Sequence, residues 1–296
     1  MTIGRVTQRM LTDGSLANLQ RNLGQLASLQ EQLSTGRVIN RPSDNPTGTT
    51  AAMRIRTSVS DQAQYARNAQ DGLGWLTQVD STLDGVTTAV RRARDLALQG
   101  ANTGAMGQQA RDALAIEIDG VREQLLGQAN ASYLERPVFG GVTGGGQAYD
   151  ATGNWVGVAG SVNRRVADDV VVQVDVDGRT VFGDGASSVF AELDALATAL
   201  RAGDTAGIRA SVDVLRTREN TVTGVRAAAG TRYQRIEQSA QAADDAKMSL
   251  ENNLSSIENA DLADTTVHLK LQEVAYQAAL AATSRVMQPS LLDFLR

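Results

Sequence analysis

Apolar residues recur every three or four positions near the N-terminus, and this spacing restricts what the chain can fold into. The repeat consists of Leu16, Leu19, Leu23, Leu26 and Leu33. Gln30 interrupts it, with Leu29 beside the interruption. Such steps are typical of a coiled-coil helix with one apolar seam. Gly36 then stands where a glycine commonly ends a helix.

A second set of repeats lies near the C-terminus and changes register part-way. Its first register holds Leu250, Leu254 and Ile257, and its second holds Leu262, Leu269, Tyr276 and Thr283. The change predicts a stutter near Asp261. Because both ends carry seams, we expect the first and last helices of the chain to pack side by side.

The residues between the two seams predict more helix, broken by one β-rich insert. Residues 47–99 and 108–130 have helical spacing, although Gly72, Gly74 and Gly85 weaken the prediction of one unbroken helix. Short β-prone runs follow at 156–158, 162–166, 170–176 and 180–182. Asp177-Gly178 between the last two runs predicts a type I′ hairpin turn. Helical spacing resumes at Ser187.

The predicted fold is therefore mainly α with a small β-rich insert, arranged as an elongated hairpin of long helices. Residues 1–40 and 255–296 would form a terminal coiled coil. Residues 41–132 and 187–254 would form a helical rod domain, and residues 133–186 an outer β-rich tip domain.

Composition excludes most catalytic chemistry. The chain has no Cys and one His, so Cys-based catalysis, disulfides and motifs with two histidines are excluded. Its formal net charge of −5 argues against nucleic acid as the main partner. Asp175 and Asp177 resemble part of a Ca²⁺ loop, but no distal Glu follows at the required spacing, and a hairpin turn is favoured. We expect a structural protein, not an enzyme, with no cofactor and no metal.

The N-terminal residues also bear on where the protein acts. They contain no apolar stretch followed by a small-residue cleavage site, so a Sec-type signal peptide is not expected. No run of about 18 apolar residues is present, so no membrane-spanning helix is expected.

The two seams allow two interpretations. They could form an intramolecular coiled coil and nothing more, or they could also contribute to an interface with other copies. The second is favoured because two helices rich in small and aliphatic residues leave apolar surface uncovered. The predicted assembly interface comprises Leu16, Leu19, Leu23, Leu26, Leu33, Leu254, Ile257, Leu262, Leu269, Tyr276 and Leu280.

Motifs beside the seams resemble the bacterial flagellins and their relatives. Residues 33–46 read LSTGRVINRPSDNP, residues 255–262 read SSIENADL, and residues 90–102 read VRRARDLALQGAN. All three are similar to flagellin motifs and occur in that family's order. The end segments, IGRVTQRM at 3–10 and VMQPSLLDFL at 286–295, resemble members that join the flagellar hook to the filament. Residues 130–141 resemble the same members, although Glu135-Arg-Pro137 departs from the residues that are usual there.

The resemblance implies an extracellular flagellar subunit, exported unfolded through the flagellar type III apparatus. It implies a ring of copies contacting a hook-associated protein on one side and flagellin on the other. A cytoplasmic chaperone would cover the C-terminal helix. Arg92, Arg94 and Leu96 correspond to a flagellin helix that contacts an innate immune receptor. The alternatives are the main filament subunit, or a secreted coiled-coil effector or adhesin with a binding tip.

Overall fold

A computed structural model describes residues 3–101 and 107–287, with the side chains of 3–9, 11, 12 and 285–287 left undescribed. Its helices are α1 (Ile3–Thr35), α2 (Pro46–Ala101), α3 (Gln108–Ala129), α4 (Gly178–Phe182), α5 (Val189–Ala202), α6 (Thr205–Glu258) and α7 (Leu262–Met287). Its short strands are β1 (Ser132–Tyr133), β2 (Arg136–Pro137), β3 (Asn163–Ala167) and β4 (Val170–Gln173). The prediction of a mainly α fold with a small β-rich insert is confirmed.

The chain divides into two compact units. Residues 1–60 and 247–296 form the first unit, and residues 61–246 form the second. The three-part division drawn from the sequence stays a prediction. Within the described ranges, no helix combines the length and the apolar character needed to cross a membrane.

In the first unit, local capping explains where the helices begin and end. Gly36, with φ +68°, follows α1 in the left-handed conformation, and its N–H donates to the Gln32 carbonyl. Asn45 precedes α2 and accepts a hydrogen bond from the Gly48 N–H at 2.8 Å. Asp261 precedes α7 and accepts from the Ala263 N–H at 2.9 Å.

These caps correct one prediction about the C-terminal repeats. The sequence predicted a stutter near Asp261 within a continuous helix. Instead α6 ends at Glu258 and α7 begins at Leu262, so the two registers belong to separate helices. Asp261 caps the second helix because its carboxylate satisfies N–H groups that have no partner within the first turn.

In the second unit, parts of α2 and α6 share one buried core with α3 and α5. That core includes Leu83, Val90, Ile118, Leu193 and Val222. The 56-residue α2 is unbroken, because neighbouring side chains cover its glycines. A Cβ on Gly74 would collide with the Tyr133 hydroxyl, and one on Gly85 would meet Gln128.

The insert consists of two small antiparallel pairs, joined by loops around an aromatic cluster. β1 pairs with β2, and β3 pairs with β4 from Asn163 opposite Gln173 to Ala167 opposite Val170. The cluster lies beside these pairs and comprises Phe139, Tyr149, Phe182 and Phe190. The Tyr149 hydroxyl donates to the Gly183 carbonyl at 2.8 Å, and burial raises the pKa of this phenol.

The hairpin predicted at Asp177-Gly178 is wrong. The residues after it form the short helix α4, whose first N–H groups need an acceptor, and Asp177 accepts from the Arg179 N–H at 2.9 Å. Gly178 is buried, and a Cβ there would meet the Phe139 carbonyl. The same Asp-Gly pair serves helix capping and close packing, so the turn signal was ambiguous.

The loop at Asp150 gives the insert an acid-sensitive element. A hydrogen bond from the Thr152 hydroxyl and another from the Asn154 N–H lower the pKa of Asp150 to about 2, from an ordinary value of 3.8. A carboxyl whose pKa is lowered in the folded state stabilises the fold above the unfolded value, and that stabilisation is lost as pH falls through the folded value.

We therefore expect the insert to lose stability as pH falls from about 4 to about 2. Replacing Thr152 with Val removes the largest cause and should raise the pKa of Asp150 toward 3.8. NMR titration of the Asp150 carboxyl carbon in both proteins measures this directly. An unchanged titration midpoint in the Thr152→Val protein would contradict the assignment.

Candidate assembly surface

One face of α1 packs on α7, and its register differs from the predicted seam. The half-buried leucines on this face are Leu19, Leu26, Leu29 and Leu33. Leu16 and Leu23 are 56% and 52% exposed and lie outside this seam. The interruption at Gln30 was the signal for this register, because Leu29 takes the seam position beside it.

The partner helix α7 has apolar residues on two faces. Thr265, Leu269 and Tyr276 lie on the side toward α1, while Leu262 and Leu280 are exposed. A second row of apolar residues on α7 is mostly exposed, and we call it the outer stripe of α7: Val267, Leu271 and Val274, which are 58%, 62% and 64% exposed. The sequence prediction missed this stripe because it followed one seven-residue register.

Polar groups cross the boundary between α1 and α7. The Gln272 side-chain amide donates to the Gln25 side-chain oxygen at 3.0 Å and to the Asn22 carbonyl at 3.3 Å. Beside these contacts is an open groove of about 530 Å³. Its lining includes Arg21, Gly24, Ser28, Leu29, His268 and Leu271. The two helices therefore leave space and apolar surface between them.

The predicted residues of α6 lie in the same unit. Leu254 and Ile257 are half-buried, near the end of the helix. None of the predicted interface residues is fully buried in the single chain. Whether they form an interface between copies stays a prediction.

Two backbone segments that carry the sequence motifs pair directly, and we call this pairing the loop bridge: residues 36–38 with residues 258–260. The Val38 N–H donates to the Glu258 carbonyl at 2.7 Å, and the Ala260 N–H donates to the Gly36 carbonyl at 2.9 Å. The Glu258 side chain is buried and pairs with Arg56 at 2.8 Å. The loop bridge thereby ties the end of α1 to the break between α6 and α7.

Replacing Gly36 with Ala should weaken the loop bridge. The left-handed conformation costs a non-glycine residue about 1–2 kcal/mol, so the free energy of unfolding of the first unit should fall by about that amount. Hydrogen exchange at the Val38 and Ala260 amides measures the change.

The matched control is Gly24→Ala in the middle of α1. Nothing lies within 4 Å of its added Cβ, so helix propensity should make this change stabilising by up to about 1 kcal/mol. Equal effects of the two substitutions would show that the conformation of Gly36 is unimportant.

The predicted receptor-like face lies on α2 in the second unit. Arg92 pairs with Glu117, and Arg94 pairs with Glu219 at 2.6 Å. Leu96 is only 1% exposed and belongs to the core, so it does not share an exposed face with the arginines. Contact of this helix with a receptor stays a prediction.

The suspected Ca²⁺ residues have structural roles. The Asp175 carboxylate accepts from the Val162 N–H at 2.7 Å, and burial raises its pKa, while Asp177 caps α4. Among the residues with described positions, no group of three or more Asp, Glu or His could hold a metal ion.

Comparison with known protein families finds matches in both units. The model of the bacterial flagellin N-terminal helical region matches residues 6–141, and that of the flagellin C-terminal helical region matches residues 212–295. The chain belongs to the bacterial flagellin family. Members of the flagellin family are structural proteins of the flagellum, and the resemblance inferred from the motifs is confirmed.

Within the flagellin family, curated relatives differ in how much of the chain they match. Flagellar hook-associated protein 3 of Salmonella typhimurium is 24% identical, over 99% of this chain and 100% of its own length. Polar flagellin F of Vibrio parahaemolyticus is 32% identical, but over 40% of this chain and 29% of its own length.

Two solved structures share the fold of this flagellin-family chain. FlgL of Bacillus cereus matches with a TM-score of 0.60 and 20% identity, over 68% of this chain and 99% of that one. The flagellar junction protein FlgL of Legionella pneumophila matches with a TM-score of 0.57 and 12% identity, over 72% of this chain and 100% of that one.

Proposed function

We propose that the protein is a structural adaptor that joins the flagellar hook to the flagellin filament. The observation that carries this proposal is the extent of the match to hook-associated protein 3, which spans 99% of this chain and all of that relative. Polar flagellin F matches only 40% of this chain, so the similarity to hook-associated proteins extends into regions that this flagellin does not share.

The proposed mechanism is head-to-tail assembly through the terminal helices. Within one chain the seam leucines stay half-buried and the outer stripe of α7 is mostly exposed. Full burial of a Leu or Val side chain contributes about 1.5–3 kcal/mol, so covering this surface supplies a driving force for association. A heterologous contact of this kind produces a ring or a helical layer.

The exposed surface of the terminal helices also indicates the partners of the protein. Other copies, a hook-associated protein on the hook side and flagellin on the filament side would cover the terminal helices in the assembly. Before export, a cytoplasmic chaperone would cover α7, whose outer stripe otherwise promotes premature association. The proposed location is the hook–filament junction of the flagellum, outside the cell.

Deletion of the gene in a flagellated host tests the proposed role. We expect hooks without filaments, with flagellin released into the medium, and restoration of filaments by the wild-type gene. Immunolabelling of isolated flagella should give a narrow band at the distal edge of the hook. Label along the whole filament would instead assign the protein as the main filament subunit.

A further inference from the structure

Two consecutive residues adopt a backbone conformation that their side chains disfavour. Leu134 and Glu135, with φ +48° and +65°, form the two-residue loop between β1 and β2. They are the positive-φ residues other than glycine in the part of the chain that the structure describes. Two-residue hairpins with positive φ at both positions strongly prefer Asn-Gly, because these residues tolerate the left-handed region.

The strained loop displays a large apolar side chain. Leu134 is 73% exposed, compared with 66% for Ile116 of the same unit. Its neighbours are held in place by Trp75. The Tyr133 ring meets the Trp75 ring edge-on, with the ring centroids 5.7 Å apart, and the guanidinium carbon of Arg136 lies 5.6 Å from the centroid of the same ring. The hairpin is therefore fixed at its base while Leu134 projects from it.

The same unit has a cavity with a partly apolar lining. It has a volume of about 450 Å³ and lies between α2 and α6. Leu76, Ala229, Gly230 and Tyr233 contribute apolar lining, while the rest of the lining is polar and includes Asp80, whose charge is paired with Arg226. Nothing lies within 4 Å of a Cβ built on Gly230, so the α6 wall of the cavity is open there. A helix-interior glycine costs about 1 kcal/mol relative to alanine, and no contact within the chain requires this one.

The charge beside Leu134 is opposite to a charge beside the cavity. Glu135 follows Leu134 and is exposed, and Arg235 follows Gln234 of the cavity lining and is also exposed. Neither has an ion-pair partner among the described residues. Opposite charges beside a contact steer two surfaces together and fix their register.

We propose that Leu134 inserts into the α2–α6 cavity of a second copy of this chain, with Glu135 beside Arg235. This contact is heterologous, because the hairpin of one copy meets the cavity of the next, and such contacts build rings or helical layers. The inference rests on the proposed function in requiring that copies assemble, and it identifies residues of the second unit that join them.

Cysteine cross-linking tests the contact directly, because the natural chain has no Cys. The full chain with Glu135→Cys and Arg235→Cys retains Leu134 and should form disulfide-linked multimers on mild oxidation, both in concentrated solution and in isolated flagella. The control pairs Glu135→Cys with Gly224→Cys, at an α6 glycine outside the cavity lining with open space around its Cβ. Absence of cross-links, or equal cross-linking in the control, would overturn the proposal.

Variants with a less strained turn distinguish loss of the contact between copies from loss of folding. The double change Leu134→Asn and Glu135→Gly introduces the preferred turn residues, so it should raise the stability of the monomer. Self-association should nevertheless fall by about 30-fold, as expected when a buried apolar anchor is lost. The single change Glu135→Gly retains Leu134 and should keep most of the association.

Sedimentation of the purified proteins measures this difference. Equal association of the single and double variants would contradict the role of Leu134. Defective filaments in the double variant without cross-linking between copies would assign Leu134 to another partner, which also overturns the proposal. Neither result alters the band position or the deletion phenotype by which the adaptor role is judged.

Discussion

Replacing Phe190 with Ala should lower the free energy of unfolding of the second unit by about 3–5 kcal/mol. Phe190 is fully buried at the start of α5, stacked on Phe182 with centroids 6.1 Å apart and 5.5 Å from Tyr149. Gly153 packs directly against its ring, and the Arg122 guanidinium lies 6.0 Å from the ring centre. The ring therefore joins the insert to α3 and α5, and its removal leaves a cavity that these elements cannot close.

Urea denaturation followed by circular dichroism and by tryptophan fluorescence measures the loss. Val171→Ala is the matched control, because Val171 lies in β4 of the same insert but is 51% exposed. The control should change the free energy of unfolding by about 0.5 kcal/mol or less. A Phe190→Ala protein as stable as this control would show that the aromatic cluster does not hold the insert on the helices.

The second large effect concerns assembly. Replacing Leu271 and Val274 with Gln should leave the stability of the monomer within about 0.5 kcal/mol, because both side chains are mostly exposed and Gln is a good helix former. If neighbouring copies cover the outer stripe of α7, two lost apolar contacts of about 1.5–3 kcal/mol each reduce association by roughly 10²- to 10⁴-fold. Filament number per cell and immunolabel at the hook edge measure this loss.

Leu269→Gln provides the contrasting variant. Leu269 is half-buried on the α1 side of the same helix, so its replacement should lower hydrogen-exchange protection in the monomer as well as reduce assembly. The double variant should retain the protection of the wild-type monomer. Normal filaments in the double variant would remove the outer stripe of α7 from the proposed interface.

The sequence predicted the helical framework well because its signals are local and repeated. Helical spacing predicted α2 and α3 with errors of only a few residues at their ends. The seam of α1 was shifted because Leu16 and Leu23 fit a heptad as well as Leu19 and Leu26 do. Only packing on α7 decides which leucines face inward, and that information is not local.

The insert was harder to predict because the same residues can take more than one structural role. Asp-Gly is a turn signal, yet Asp177 caps a helix whose glycine must fit against Phe139. Conversely, Leu134-Glu135 carries no turn signal, yet it forms the tight loop between β1 and β2. Tyr133 and Arg136, held on Trp75, determine that loop from outside its own sequence.

The candidate surface was only partly accessible to sequence reasoning. The leucine repeats identified α1 and α7, but the outer stripe appears only once Leu269 and Tyr276 are placed toward α1. The family motifs pointed to residues 33–46 and 255–262 without indicating why. The loop bridge supplies a physical reason, since backbone groups from both motifs pair with each other.

The loop bridge also constrains the order in which the protein folds. Arg56 and Glu258, which lie beside it, are separated by 202 residues, and a contact over so long a separation carries a large loop-closure entropy. Contacts between residues closer in sequence, such as α3 with α5, can form before it does. The terminal helices should therefore pair late in refolding, so the surface that copies would share is completed last in each chain.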